Sequence, residues 1–477
     1  MMVLLLLVAG AVLSFISPLA SVVAAGASLA WALFFGASMT ELISLLVGFS
    51  TLLFALWYLK EEHLKKEFFS AMAVFLAAML LFLQSADWIQ MYIAWEFMGF
   101  CSYILIAQKS TIASRKAARK AFIFSRLSGV CFLAAVALIY AQTGSFSFSV
   151  IPALPAVLLL VAAMAKSSQF PFFWLHDAME APTPASALLH SATMVAAGPL
   201  LLARFPDFFV FLLPAIKIWA AVSIAVASFA ALVQEHQKKV LAFSTVAAVA
   251  FLYTIFDSAL LPWAFSVHAL LKSALFLLVG TYASSVNYSM EVGLDKRSRT
   301  SYLTLFIILA LSGVPPFGLF WFKAAEGPIA ALTVFLSLLY FLRSYFLTFS
   351  GGVKPQESIG TLLAGVLAAV SIPLSIHFFS VPQDVLSFFL SAIAIAFVSF
   401  RFSPLQFIGN AANWLASYEP RVDYVPEGLI DKWGYDFGIS VRHASKKIHS
   451  LFTGPVSKDI GYIALSLAAL ALGVKLC

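Results

Sequence analysis

Apolar residues along this chain come in long blocks separated by short polar clusters, and no strand-like alternation is seen. The blocks run to about 17–25 residues, enough for a helix to cross about 30 Å of hydrocarbon. They predict about sixteen helices: 2–17, 19–36, 40–59, 67–84, 87–108, 117–141, a broken span from 151 to 183, 185–204, 209–232, 239–256, 262–285, a broken span from 301 to 332, 333–350, 359–380, 384–402 and 460–476. The period-2 pattern of a membrane barrel is missing, so the expected fold class is all-α, a polytopic membrane protein. The N-terminal run MMVLLLLVAGAVLSFISPLA has no basic leader and reads as a first span rather than a cleaved signal.

Two spans are interrupted, one at Pro171 and one at Pro315-Pro316, each with a lysine near the break, Lys166 and Lys323. Each interruption lies within a run of about five helices, 67–204 and 209–350, and two five-helix units of opposite orientation make an inverted repeat. The domain plan that follows is 1–66, N-terminal helices; 67–204 and 209–350, the repeats; 351–402, further spans; 403–458, a cytoplasmic segment; and 459–477, a last span. Within 403–458, Ile430, Trp433, Phe437, Val441, Ala444 and Ile448 recur every three or four residues among charged neighbours. That spacing predicts a short amphipathic helix lying along the membrane surface.

Composition agrees with the pattern. The chain is 62% hydrophobic and 11% charged, with mean hydropathy +0.97, against about 25% charged in a soluble domain. The net charge of +7 does not point to nucleic acid, because the basic residues cluster in alternate loops. KEEHLKKE (60–67), KSTIASRKAARK (109–120), QEHQKK (234–239) and EVGLDKRSR (291–299) fall on one side, which the positive-inside rule makes cytoplasmic. Both termini are then expected outside, in a multi-pass cell-membrane protein. Cys101, Cys131 and Cys477 form no CxxC pair, and no His/Asp/Glu group has metal spacing, so no cofactor or metal is expected.

Against this background a few charges stand inside predicted spans: Glu96 in MYIAWEFMGF, Lys166 in AAMAKSSQFPFF, Lys272 in VHALLKSALF and Lys323 in GLFWFKAAEG. A charge at the bilayer centre costs about 2.5–3.5 kcal/mol on insertion scales. One such lysine is as well explained by a structural ion pair; three on separate helices, with Glu96, His190 and His268, suit proton relay. Buried amines give up protons more readily, and a nearby carboxylate restores their hold. His268 and Lys272, four apart, share a helix face. Asp177 and Glu180 suit either a channel mouth or a helix cap, Arg126 and Lys120 suit ordinary anchors, and His176 and His236 suit loop positions.

Six stretches, in order, carry a resemblance: WEFMGFCSYILI, KAFIFSR, AKSSQFPFFWLHDAMEAPTPASALLHSATMVAAG, LVQEHQKKVLAFST, HALLKSALFLLVG and GVPPFGLFWFK. The chain resembles the antiporter-like subunits (L, M and N types) of complex I and their relatives in Mrp-type antiporters and membrane-bound hydrogenases. The resemblance covers about 67–350 and implies two inverted five-helix bundles. It implies that Glu96 pairs with Lys166, that Lys272 connects the half-channels with His190 and His268 beside it, and that Lys323 stands on the exit side. It also implies partners: other membrane subunits of a multisubunit complex, with redox subunits acting indirectly. The layout after residue 380 is similar to the L type, with a lateral helix long enough to reach only one neighbour.

The chain departs from the family pattern at several points. The first histidine of HxxxHxxxK is Ala264, the usual TDIKR is Glu235-His236-Gln237-Lys238-Lys239, STISQLGY reads STVAAVAF, and NRVGD is Ser125-Arg126-Leu127-Ser128-Gly129. The expected function is therefore an ion-translocating subunit, proton or sodium/proton, of a complex I-related redox complex. A hydrogenase- or sulfur-reductase-type assembly suits it as well as an NADH:quinone enzyme. The alternatives are a stand-alone Mrp-type Na+/H+ antiporter subunit and a structural subunit with a decayed channel.

Overall fold

The computed structural model describes residues 2–59, 65–148, 152–283, 288–290, 292–314, 319, 322–323, 328–355 and 358–376. The expected spans 384–402 and 460–476, the amphipathic helix and Pro315-Pro316 lie outside them. Residues 141–144 aside, the described residues belong to one compact unit.

The described residues are helical, with only isolated strand-like bridges. The helices are α1 (Met2–Leu13), α2 (Leu19–Phe35), α3 (Met39–Tyr58), α4 (Lys65–Gln84), α5 (Trp88–Ala107), α6 (Ile112–Thr143), α7 (Ala153–Lys166), α8 (Thr183–Ser191), α9 (Ala197–Arg204), α10 (Pro206–Phe209), α11 (Leu213–Val233), α12 (Gln237–Thr254), α13 (Leu261–Tyr282), α14 (Arg299–Ser312), α15 (Pro328–Thr348) and α16 (Ile359–Ile376). Among the described residues, six stretches are long and apolar enough to cross a membrane: 39–58, 66–84, 88–107, 112–143, 206–233 and 261–282. The chain is thus an all-helical, polytopic membrane protein.

Local chemistry sets several ends. Ser38 accepts from Glu41 N while the Glu41 carboxylate accepts from Ser38 N, a capping box that starts α3. Gly36 (φ 76°) and Gly313 (φ 88°) end α2 and α14 in the left-handed region. Arg204 covers the end of α4, donating to Phe82 O, Leu83 O and Ser85 Oγ at 2.9–3.2 Å and to Ser85 O.

Three boundaries differ from the sequence reading. Helix α6 starts at Ile112, so the basic cluster expected as a loop is its first turns; Ala, Arg and Lys are good helix formers and continue it into the apolar run. The expected 185–204 helix is two, α8 and α9, interrupted at 192–196. Pro199 has no N–H to give and sits where a proline is tolerated, in the first turn of the restarted helix. Helix α1 has 12 residues, about 18 Å of rise, where 2–17 was expected.

Helix α13 runs through the interior; every residue from Ala264 to Tyr282 is buried. Helices α3, α8, α12, α14 and α16 pack around it. Large apolar side chains on α2, α5, α6 and α11 face outward, among them Phe34, Phe97, Phe100, Val130 and Phe229. In a membrane protein these are the faces for lipid or neighbouring helices.

Candidate functional site

The first group of charges lies where α5, α6 and α7 meet. One face of α6 carries Ser125, Ser128 and Gly129, all buried. Ser128 ties the three helices together: its hydroxyl donates to Ala162 O of α7 at 2.7 Å and accepts from Trp95 Nε1 of α5 at 2.9 Å. Lys166, one turn beyond Ala162, is the last residue of α7 and is fully buried. Its Nζ donates to Trp95 O at 2.7 Å and to Ser125 Oγ at 3.3 Å, and lies 5.2 Å from the centre of the Trp95 ring. A lysine suits this position because the last carbonyls of a helix attract positive charge.

The chain after Lys166 is held open. Ser168 (φ 54°) accepts on its hydroxyl from the backbone N–H groups of Trp174 and Leu175 at 3.0 and 3.1 Å. Trp174 Nε1 donates back to Ala165 O at 2.9 Å, and Gln169 Nε2 reaches Val246 O of α12 at 3.2 Å. A single turn at 177–180 follows before α8 begins.

Glu96 does not pair with Lys166. Its Oε2 forms an ion pair with Arg126 Nη1 of α6. Arg126, read from sequence as an anchor, is the ion-pair partner of Glu96 that the sequence did not reveal. The sequence signal was a basic residue well inside an apolar run, masked by the cluster that precedes it.

The second group is built on α8, α12 and α13. His190 is buried on α8, its ring 5.1 Å from that of Phe276, and neither ring nitrogen has a hydrogen-bond partner among the described residues. His268 and Lys272 are buried on α13. Lys272 Nζ donates to Ser244 Oγ at 2.5 Å and to Leu241 O at 3.3 Å, both on α12. Lys323 is buried and donates to Leu311 O and Ser312 O at the end of α14, at 3.2 and 3.0 Å.

Lys272 and Lys323 line one small cavity with Ser244, Thr333, Ser337 and Phe341. At about 10 Å³ it is at the lower edge of what holds one water. A second cavity of about 20 Å³ is lined by Gln237, Thr304, Tyr345 and Thr348 among others. Phe341 faces both.

The transmembrane model described as NADH:quinone oxidoreductase/Mrp antiporter matches residues 85–346, more than half of the chain. This chain belongs to that family. Among curated members it is 34% identical over 366 residues to NAD(P)H-quinone oxidoreductase subunit 5 of Lemna minor chloroplasts, covering 66% of this chain and 49% of the relative. It is 33% identical over 364 residues to NADH-quinone oxidoreductase subunit L of Buchnera aphidicola, covering 67% and 58%. The chain therefore spans about half the length of the curated relatives it matches. Two solved structures share the fold. The Mrp complex of Dietzia sp. DQ12-45-1b aligns with TM-score 0.75 and 22% identity, over 100% of this chain and 63% of that one. Respiratory complex I of Thermus thermophilus with bound Aureothin aligns with TM-score 0.63 and 23% identity, over 78% and 97%.

The antiporter family motif at 234–239 supplies one more buried cation that the sequence reading passed over. Lys238 is fully buried, and its Nζ donates to Met179 O at 2.7 Å and Ala181 O at 2.6 Å, beside the turn that precedes α8. It also lies 5.0 Å from the centre of the Tyr288 ring. The Tyr288 hydroxyl is within 2.5 Å of Thr183 Oγ1 and 2.6 Å of Tyr58 OH, and burial pushes its ionisation up. His236, whose ring centre is 5.5 Å from that of Tyr288, is held down to about 4, first by burial and then by Lys238, Lys239 and Lys109. Asp177, the first residue of the turn, forms an ion pair with Lys120 at 2.6 Å, and its Oδ1 lies 3.4 Å from His176 Nε2.

Proposed function

We propose that this chain is the proton-translocating, antiporter-like membrane subunit of a complex I-related redox complex. The observation that carries the reading is the set of buried lysines on separate elements, Lys166, Lys272 and Lys323, each held by backbone carbonyls or hydroxyls, the last two lining one cavity. A buried amine without a fixed counter-ion is suited to gaining and losing a proton. In the relay, redox work in a partner subunit moves charge near Glu96. Lys166 then passes its proton toward His190, His268 and Lys272, and Lys323 releases one outward. The relatives named as complex I subunits support membrane neighbours for this chain.

The finer architecture belongs to the same proposal. About sixteen helices include two inverted five-helix repeats, 67–204 and 209–350, with breaks at corresponding places. The broken α7–α8 segment supports the first. The alternation of basic clusters supports termini outside and the clusters at 60–67, 109–120, 234–239 and 291–299 inside.

The test is Lys166→Ala in the complex purified with its natural partners and reconstituted into vesicles. Assembly and electron transfer should persist while proton uptake is lost. Undiminished uptake rejects the relay. Co-purified iron–sulfur subunits support the redox assembly, and their absence supports a stand-alone antiporter.

A further inference from the structure

We propose that Tyr253 is a further positioning residue of the relay: its hydroxyl, paired with Ser167, fixes the end of α7 that carries Lys166, and it does so from the helix that also receives Lys272. The inference rests on the reading of Lys166 and Lys272 as relay sites.

The pair is buried and close. Tyr253 and Ser167 are both fully buried, and their hydroxyl oxygens lie 3.0 Å apart. Gly198, in the first turn of α9, makes the room. A methyl group built on it would overlap both hydroxyls and stand 2.9 Å from Ala163 O of α7. With glycine there, the two hydroxyls meet against a bare turn of α9. A buried phenol needs a partner for its O–H, and Ser167 Oγ supplies it.

Ser167 is the residue at which α7 stops, and its N–H donates to Ala163 O at 3.0 Å. Its place therefore sets where the last turn ends and from where the Lys166 side chain starts. The segment beyond is braced from the same side. Gln169 Nε2 donates to Ser167 O and to Val246 O, both at 3.2 Å. His176 stacks on Phe243, with ring centres 5.0 Å apart. Trp219 Nε1 of α11 donates to Phe170 O at 2.7 Å, and its ring packs edge-on against that of Tyr253 at 5.6 Å.

Helix α12 thus has two working faces. Successive residues of an α-helix turn by about 100°. Phe243, Val246 and Tyr253 share one face, and Leu241, Ser244 and Ala248 share the opposite one. The first face takes the segment that follows Lys166. The second supplies the acceptors of Lys272 and a wall of the cavity that Lys272 shares with Lys323. One helix therefore holds both buried amines in a single frame. The contact on the Lys166 side is neutral, and either hydroxyl can be the donor, so it persists whether that lysine is charged or not.

The experiment uses the whole complex in vesicles, with Tyr253→Phe and Ser167→Ala made singly and together and Lys166→Ala as the reference. Tyr253→Phe keeps the ring beside Trp219 and removes only the oxygen. Proton uptake is expressed per assembled complex, and thermal midpoints are recorded alongside. Each single variant should lower uptake on the order of fivefold, the scale of one buried hydrogen bond, with the complex assembled. The double variant should lose no more than the worse single one, because both remove the same bond. Ser167→Thr, which keeps the hydroxyl, should retain more uptake than Ser167→Ala. Lower midpoints with normal uptake per complex overturn the inference, since a merely structural contact behaves in that way. A double variant whose loss is the product of the two single losses overturns it as well. If Ser167→Ala does not assemble, Gly198→Ala, which forces the two hydroxyls apart, takes its place with the same readouts. Normal uptake in both single variants with none in Lys166→Ala rejects this inference alone. Normal uptake in Lys166→Ala rejects the relay beneath it.

Discussion

Lys272 and Lys323 face the same cavity from two different elements, one on α13 and one next to the end of α14. The same space is lined by hydroxyls and by the rings of Tyr340 and Phe341, with no acid among its lining residues. The first prediction concerns Ser244, whose hydroxyl accepts from Lys272 at 2.5 Å. A hydroxyl can accept from a charged amine and donate to a neutral one; alanine can do neither. Ser244→Ala should slow proton uptake several-fold while leaving Leu241 O as the remaining partner, and Lys272→Met should abolish it. Dye-reported acidification of reconstituted vesicles measures both, and equal rates in Ser244→Ala and wild type would count against a working role for this contact.

Phe341 lines both cavities, and its ring centre is 5.3 Å from Lys272 Nζ. Phe341→Ala removes the side chain that the two cavities share and is expected to join the lysine cavity to the one lined by Gln237 and Thr348. The expected result is a passive proton leak in vesicles without turnover, read as faster decay of an imposed pH gradient. Unchanged decay would show that the ring does not limit access.

Lys238 joins the start of α12 to the turn before α8 through Met179 O and Ala181 O. Lys238→Met keeps the bulk and leaves both acceptors unmet, which costs about 1–3 kcal/mol. The thermal midpoint of the detergent-solubilised protein should fall, and Lys238→Arg should recover part of the loss.

His236 lies outside the spans and carries the clearest pH signature. Its pKa is lowered from 6.5 to about 4 in the folded protein. Above about pH 6.5 the ring is neutral in both folded and unfolded chains, and its contribution to stability is complete. Between about 6.5 and 4 the unfolded chain binds a proton that the folded ring refuses, so stability falls as pH drops. His236→Gln should flatten this stretch of the midpoint-versus-pH curve, and a curve of the same slope in the variant would rule His236 out as its source.

Much of this was legible in the residues themselves. A lysine inside an apolar run announces itself, so Lys166, Lys272 and Lys323 were found, and all are buried. The break after Lys166 was legible from the prolines and polar residues that follow. The partner of Glu96 was not, because a sequence shows which cations exist but not which one a side chain reaches. Arg126 prevailed through the space over Gly129, and that space depends on how α5 and α6 pack. The start of α6 was missed because charge suggested a loop while helix propensity favoured continuation. The shared cavity of Lys272 and Lys323 had no sequence signal, since its walls come from α12, α13, α14 and α15.

Lys166, Lys238, Lys272 and Lys323 are each held by backbone carbonyls or hydroxyls rather than by an acid. An amine bound to a carboxylate cannot be discharged without stranding a bare anion in the hydrocarbon. An amine cradled by neutral dipoles leaves nothing behind, and its N–H groups still find their acceptors. In the proposed relay each of these lysines would therefore release its proton without leaving a bare carboxylate beside it.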